Sequence, residues 1–168
     1  MDNISKEISR IEEDAEISAK RHFNQAKTYE IKHCWLGLPL AILAAIASVS
    51  ALSEMPYGAI IAGIISLIVA VLTAVNAFLA PGEKALNHNQ SGAGYLALRN
   101  RSRIFRTVEI SQQSSEQQTK TLLELNSMRD ELNKNSPQTS REAFDAANSG
   151  IEAGESLYAV DKLNGVPD

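Results

Sequence analysis

The pattern of apolar and polar positions is dominated by two long apolar runs, residues 34–52 and 57–80, which contain no charged side chain. They are 19 and 24 residues long and stand four residues apart. About 20 helical residues cross the hydrocarbon core of a bilayer, and a backbone in lipid must satisfy its own hydrogen bonds. The pattern therefore predicts two transmembrane helices joined by a tiny turn. A soluble core hairpin is the less favoured alternative, because buried helices of this length usually keep a polar face.

The polar segments on either side of the apolar runs also show helical periodicity. Residues 3–36 contain no Gly or Pro, and their apolar positions recur at steps of three and four, which predicts one amphipathic helix leading into the first span. After a predicted break at Pro81 and Gly82, helical spacing resumes over 83–108. A hairpin brings both segments to the same side of the membrane. We therefore predict an all-α membrane protein, in which a two-helix transmembrane hairpin continues into a long-helix cytoplasmic bundle.

The C-terminal part of the chain is polar and less regular. Residues 111–121 are nearly all Ser, Gln, Glu and Thr, and a short apolar stripe, here called the leucine stripe, follows at Leu122, Leu125, Met128 and Leu132. A break is predicted at Ser136 and Pro137. We therefore predict a two-span domain over residues 1–135 and a flexible or weakly helical tail over residues 136–168.

The basic residues predict the orientation. They flank both apolar runs but are absent from the connection 53–56, and cationic flanks stay on the cytoplasmic side. Both termini are therefore expected in the cytoplasm. The arginines within 99–106 are expected here for topology alone, although they could also grip lipid headgroups or a phosphate-bearing ligand. A net charge of −4 without a concentrated basic face argues against nucleic-acid binding.

Motifs for catalysis or cofactor binding are not found in the sequence. It has no phosphate-binding glycine loop, no paired Cys-x-x-Cys and no His-Glu-x-x-His pattern. His22, His33 and His88 are 11 and 55 residues apart, so they would meet as a metal site only by a coincidence of folding. We expect neither an enzyme nor a bound cofactor or metal.

The apolar runs contain small and polar residues at regular spacing. A ridge of small residues runs along the second helix at steps of four: Gly58, Ala62, Ser66, Ala70 and Ala74. Such ridges let membrane helices approach closely. The polar side chains Ser66, Thr73 and Asn76 lie on or beside this ridge. These side chains either form hydrogen bonds between helices or line a pore. Two helices alone cannot enclose a pore, so a pore requires an oligomer.

Short motifs stand in a fixed order around the hairpin: EISAKRHF at 16–23, WLGLP at 35–39, FLAP at 78–81, HNQSG at 88–92 and YLALRN at 95–100. Together they resemble the SLATT family over about residues 8–135. These are the two-transmembrane effector domains of bacterial conflict systems that are associated with SMODS nucleotide synthases or SLOG sensors.

The resemblance implies a function that spacing alone does not. It implies an oligomeric effector in the bacterial inner membrane, which forms a pore or disrupts the membrane during antiphage abortive infection. A sensor or nucleotide-synthase partner in the cytoplasm, or a nucleotide signal, would trigger it. The alternative is a non-conducting membrane anchor that recruits a cytoplasmic partner through its helices and would depend on the leucine stripe.

The family motifs also mark a set of positions beside the membrane. We interpret them as a structural or gating belt: His22, Phe23, His88, Gly92, Tyr95 and Arg99. Phe23 and Tyr95 are expected to pack, and Arg99 is expected to pair with an acidic residue of the first arm.

Overall fold

The structure, a computed structural model, describes residues 3–53 and 56–155, and no strand occurs within them. The regular elements are α1 (Asn3–Leu52), α2 (Gly58–Leu79), α3 (Pro81–Ile104), α4 (Ser115–Asn135) and α5 (Arg141–Glu152). A π-helical turn at Phe105–Glu109 and a 3-10 turn at Ile110–Gln112 follow α3. The predicted all-helical class is confirmed.

The helix boundaries follow the predicted pattern closely. The 50 residues of α1 join the polar arm and the first apolar run in one helix, which continues through Pro39. The second apolar run is α2. The predicted break at Pro81 is present, because Ala80 adopts a left-handed conformation with φ 42° between α2 and α3.

The chain divides into two compact units. The polar unit comprises the residues up to Gln25 and those from Asn87 onward, and the apolar unit comprises Ala26–Leu86. Each unit contains part of α1 and part of α3, so the division falls within helices and not at loops.

The polar unit has an ordinary hydrophobic core. Its buried side chains come from α1, α3, α4 and the π-helical turn: Ile8, Ile11, Ala15, Leu98, Phe105 and Leu125. Leu122 and Leu132 pack against this core. The three leucines of the predicted leucine stripe therefore face inward, whereas its fourth member, Met128, is exposed, as is Leu123 on the same helix.

The apolar unit packs through small residues. Ala47 of α1 and Gly58 and Ala62 of α2 are buried. A Cβ atom added at Gly58 would lie 2.8 Å from the carbonyl oxygen of Ser50, so only glycine permits this approach of the two helices. Large apolar side chains of the same unit lie outside, with Leu52 88% and Phe78 87% exposed.

The last two helices begin at serine caps. Ser114 and Gln117 form a capping box at the start of α4, and the Ser140 hydroxyl accepts a hydrogen bond from the Ala143 amide at the start of α5. Ala143, Ala147 and Gly150 are buried on one face of α5. This helix lies within the predicted tail 136–168, of which residues 156–168 lie outside the described part of the chain.

Candidate functional site

A row of buried polar side chains runs along one face of α1 in the polar unit. Ser18, His22 and Gln25 follow each other at steps of four and three, which places them on the same face of a helix. Their residues are 9%, 2% and 5% exposed. Buried polar groups need hydrogen-bond partners. We call this row, Ser18, His22 and Gln25, the buried polar layer of the unit.

The centre of the layer is a histidine pair. Nδ1 of His22 on α1 lies 3.0 Å from Nδ1 of His88 on α3, and the His88 residue is 3% exposed. A hydrogen bond between two ring nitrogens requires one Nδ1 to carry a proton and donate while the other accepts. The pair therefore holds together only while the two rings do not both carry a proton on Nδ1.

Tyr95 joins this pair to a third helix. Its ring stacks on the His22 ring with the centroids 5.4 Å apart and the planes inclined by 19°. Its hydroxyl donates to Oδ1 of Asn133 on α4 over 2.8 Å. One chain of contacts thus links α1, α3 and α4 through His22, Tyr95 and Asn133.

The burial of the two rings disfavours their charged forms. Burial lowers the pKa of His22 from its ordinary 6.5 to about 4, with smaller contributions from neighbouring His88 and from the positive charge of Arg21. Burial also lowers the pKa of His88. Both imidazoles are therefore neutral at pH 7, and their mutual hydrogen bond then needs one ring to carry its proton on Nδ1 and the other to carry it on Nε2.

The remaining family-pattern residues lie in the same polar unit. A Cβ atom added at Gly92 would lie 2.9 Å from Cε1 of the Phe23 ring, so the glycine makes room for this aromatic side chain. Arg99 forms an ion pair with Glu16 of α1, with Nε and Oε2 3.3 Å apart. The expectation that Arg99 pairs with an acidic residue of the first arm is confirmed.

Two of the three histidines of the chain come into contact in the fold. His22 and His88 meet, whereas His33 lies in the apolar unit beside Gly82. Within residues 3–53 and 56–155, no group of three or more His, Cys, Asp or Glu side chains is arranged to hold a metal ion. The pair is thus a hydrogen-bonded contact between helices.

The small ridge of α2 is divided by its burial. Gly58 and Ala62 are buried, whereas Ser66, Ala70 and Ala74 are exposed on the chain. Thr73 is also exposed, and Asn76 is half-buried. In the part of the chain that the structure describes, Oδ1 of Asn76 has no hydrogen-bond partner although it is buried. The two roles predicted for these residues, hydrogen bonding between helices and pore lining, both stay predictions.

Sequence reasoning missed several members of the polar layer. The spacing of Ser18, His22 and Gln25 on one face was a usable signal, because three polar residues at core spacing are unusual. The Gln25 side chain accepts a hydrogen bond from the Ser140 amide at the start of α5 over 2.9 Å. Asn133 gave no signal, because it lies on α4 among many polar residues.

The chain matches a known protein family. The model of the family described as SMODS and SLOG-associating 2TM effector domain family 4 matches residues 15–162. The chain matches no curated protein and no solved structure. The match includes both apolar runs, all six family-pattern residues and α5.

Proposed function

Because the chain belongs to the SMODS and SLOG-associating two-transmembrane effector family, we propose that it is a membrane effector of a bacterial conflict system. It inserts α2 and the apolar part of α1 into the inner membrane and keeps both termini in the cytoplasm. It then assembles with other copies and permeabilises the membrane when a cytoplasmic sensor or a nucleotide signal triggers it. In this role, it serves antiphage defence.

The observation that carries this proposal is the exposure of the apolar helices. Only 6% of the most apolar stretch of α1, and 11% of the corresponding stretch that begins with α2, is buried within the chain. Contiguous apolar surface of this extent marks an interaction with lipid or protein. Lipid accounts for the length of both helices, which a soluble partner would not require.

Assembly is supported by what the hairpin leaves uncovered. The exposed half of the small ridge, Ser66, Ala70 and Ala74, permits close helix contact with a second copy. Asn76 lies near the end of the same helix, and its buried Oδ1 atom has no hydrogen-bond partner among the residues that the structure describes. An oligomer that turns these positions toward a central path would hydrate Asn76 and Thr73.

The experiment is a measurement of membrane potential in bacteria that express the wild-type chain or Asn76→Leu at matched membrane levels. We expect wild type to depolarise the membrane and Asn76→Leu to lose this effect while still inserting. Ala77→Leu is the matched control, because Ala77 is the exposed neighbour of Asn76 and lies outside the ridge. Depolarisation by both variants would contradict a pore lined by Asn76.

The second candidate function is a non-conducting anchor, which the exposed Leu123 and Met128 of α4 favour. An anchor would leave the membrane potential unchanged in all variants, even when a neighbouring sensor is expressed with it. It would lose its partner when Leu123 and Met128 are replaced by serine. The same strains therefore distinguish the two functions.

A further inference from the structure

The polar unit contains a cavity of ≈ 490 Å³ beside the buried polar layer. Its walls come from four helices and include Ser18 and Arg21 of α1, Tyr95 of α3, Arg129 and Asn133 of α4, and Phe144 of α5. Sites for small molecules commonly measure about 300–1,000 Å³. The cavity is therefore large enough for a ligand.

Helical spacing explains why these side chains converge. Ser18 and Arg21 are three residues apart and lie on one face of α1, and Arg129 and Asn133 are four residues apart on one face of α4. Two guanidinium groups thus enter the cavity from different helices. The Tyr95 hydroxyl occupies Oδ1 of Asn133, which leaves the amide N–H groups of Asn133 as donors.

Arg21 is the more informative of the two arginines. Its guanidinium carbon lies 5.6 Å from the centre of the Phe144 ring. Its Nε atom is buried and has no hydrogen-bond acceptor among the described residues. A buried donor without an acceptor is unfavourable, and more so when the group is charged. The guanidinium group of Arg21 is therefore not fully satisfied by the described residues.

Arg129 is already partly neutralised. It lies 3.3 Å from Asp14 and 3.8 Å from Asp130, and it donates to Oδ1 of Asn126. Asp14 also lines the cavity, whereas Asp130 pairs with Arg129 from outside the lining, so the lining itself holds two guanidinium groups and one carboxylate. A phosphate has three terminal oxygens that can accept from both guanidinium groups at once, whereas a carboxylate has two.

We propose that this cavity binds a small phosphorylated ligand, with its phosphate on Arg21 and Arg129 and the rest of the molecule against Phe144. Such a ligand would contact α1, α3, α4 and α5 together. It would also contact Tyr95, whose ring stacks on His22 of the buried polar layer. The proposal that the cavity binds such a ligand is argued from the cavity's geometry alone. The proposal that this ligand triggers the effector rests on the proposed function.

The test uses the full chain in detergent and three probes: inorganic phosphate, adenosine monophosphate and a short-chain phosphatidic acid. Binding is measured by calorimetry and by the rise in melting temperature. We expect saturable binding that Arg21→Gln weakens at least about tenfold, since the variant loses the charge-assisted hydrogen bonds between the guanidinium group and the phosphate. Arg10→Gln is the matched control, because this exposed arginine of α1 pairs only with Glu7 among the described residues.

The three probes separate the sources of the phosphate. Arg21-dependent binding of phosphate or adenosine monophosphate supports a soluble ligand, and Arg21-dependent binding of phosphatidic acid alone assigns the same chemistry to a lipid headgroup. No saturable binding of any probe at millimolar concentration, or equal binding by Arg21→Gln, overturns the proposal. Arg129→Gln carries the test if Arg21→Gln lowers the melting temperature without ligand. Because no conduction is measured, failure here leaves the depolarisation experiment standing.

Discussion

The two units of this chain solve opposite packing problems. In the polar unit, Phe105 and Leu98 are fully buried, and arginines pair with half-buried carboxylates of α1. In the apolar unit, Phe78 and Leu67 are 87% and 68% exposed, while small residues fill the contact between the helices. The first arrangement is typical of a protein in water, and the second is typical of helices in lipid, where apolar side chains gain nothing by facing each other.

The difference teaches that residue type alone does not predict burial in this chain. The same helix, α1, buries Ile8 in the polar unit and leaves Ile42 52% exposed in the apolar unit. What changes along α1 is the polarity of the opposite face, which is charged before residue 33 and apolar after it. A helix with one charged face fits a boundary between protein and water, whereas a helix that is apolar on all sides fits lipid.

The largest expected effect is a direct comparison of two leucines. Leu98→Ala removes a side chain that is 0% exposed, and we expect it to lower the free energy of unfolding by about 3 kcal/mol through the loss of buried apolar surface and the cavity left behind. Leu67→Ala, at an exposed position of α2, should change it by less than about 0.5 kcal/mol. Chemical denaturation of the detergent-solubilised chain, followed by circular dichroism, measures both. Equal costs would show that Leu67 is packed against protein, contrary to the lipid-facing assignment.

The next effect concerns pH and acts in the polar unit alone. The pKa of His22 is about 4 in the folded chain and 6.5 when unfolded, so the unfolded state binds a proton first as the pH falls. The stability that the neutral ring contributes is complete above pH 6.5 and is lost as the pH drops toward 4. This loss amounts to roughly 2 kcal/mol between pH 7 and pH 5. Denaturation curves at several pH values measure it.

Two variants isolate this contribution from the other acid-sensitive groups. His22→Gln removes the titrating ring, so its stability should fall less steeply below pH 6.5 than that of wild type. His88→Gln removes the partner ring, whose pKa burial also lowers, and should likewise flatten the slope. If both variants show the same slope as wild type, the histidine pair does not couple pH to folding.

The sequence supports much of the fold because helical periodicity and apolar length are local properties. The course of α1 and α2 and the break at Pro81 needed no knowledge of distant residues. The histidine pair did need such knowledge, because His22 and His88 are 66 positions apart in the chain. Which residue of α3 lies opposite His22 depends on how the two helices are aligned with each other. The same holds for Asn133 and Phe144, which reach the cavity only through the docking of α4 and α5. Burial of Ser18, His22 and Gln25 was foreshadowed by their spacing, but the identity of their partners was not.

The smallest expected effect tests how closely α1 and α3 approach in the polar unit. Gly92→Ala places a Cβ atom within 3.1 Å of three atoms of the Phe23 ring, and the ring is 37% exposed, so it can yield partly. We expect a loss of about 1 kcal/mol, because the contact strain outweighs the gain of about 1 kcal/mol in helix propensity. In a Phe23→Ala background the obstacle is gone, and Gly92→Ala should then stabilise the chain by up to about 1 kcal/mol. This reversal of sign in a double-mutant cycle is the decisive observation, because a glycine needed only for backbone freedom would give the same loss in both backgrounds.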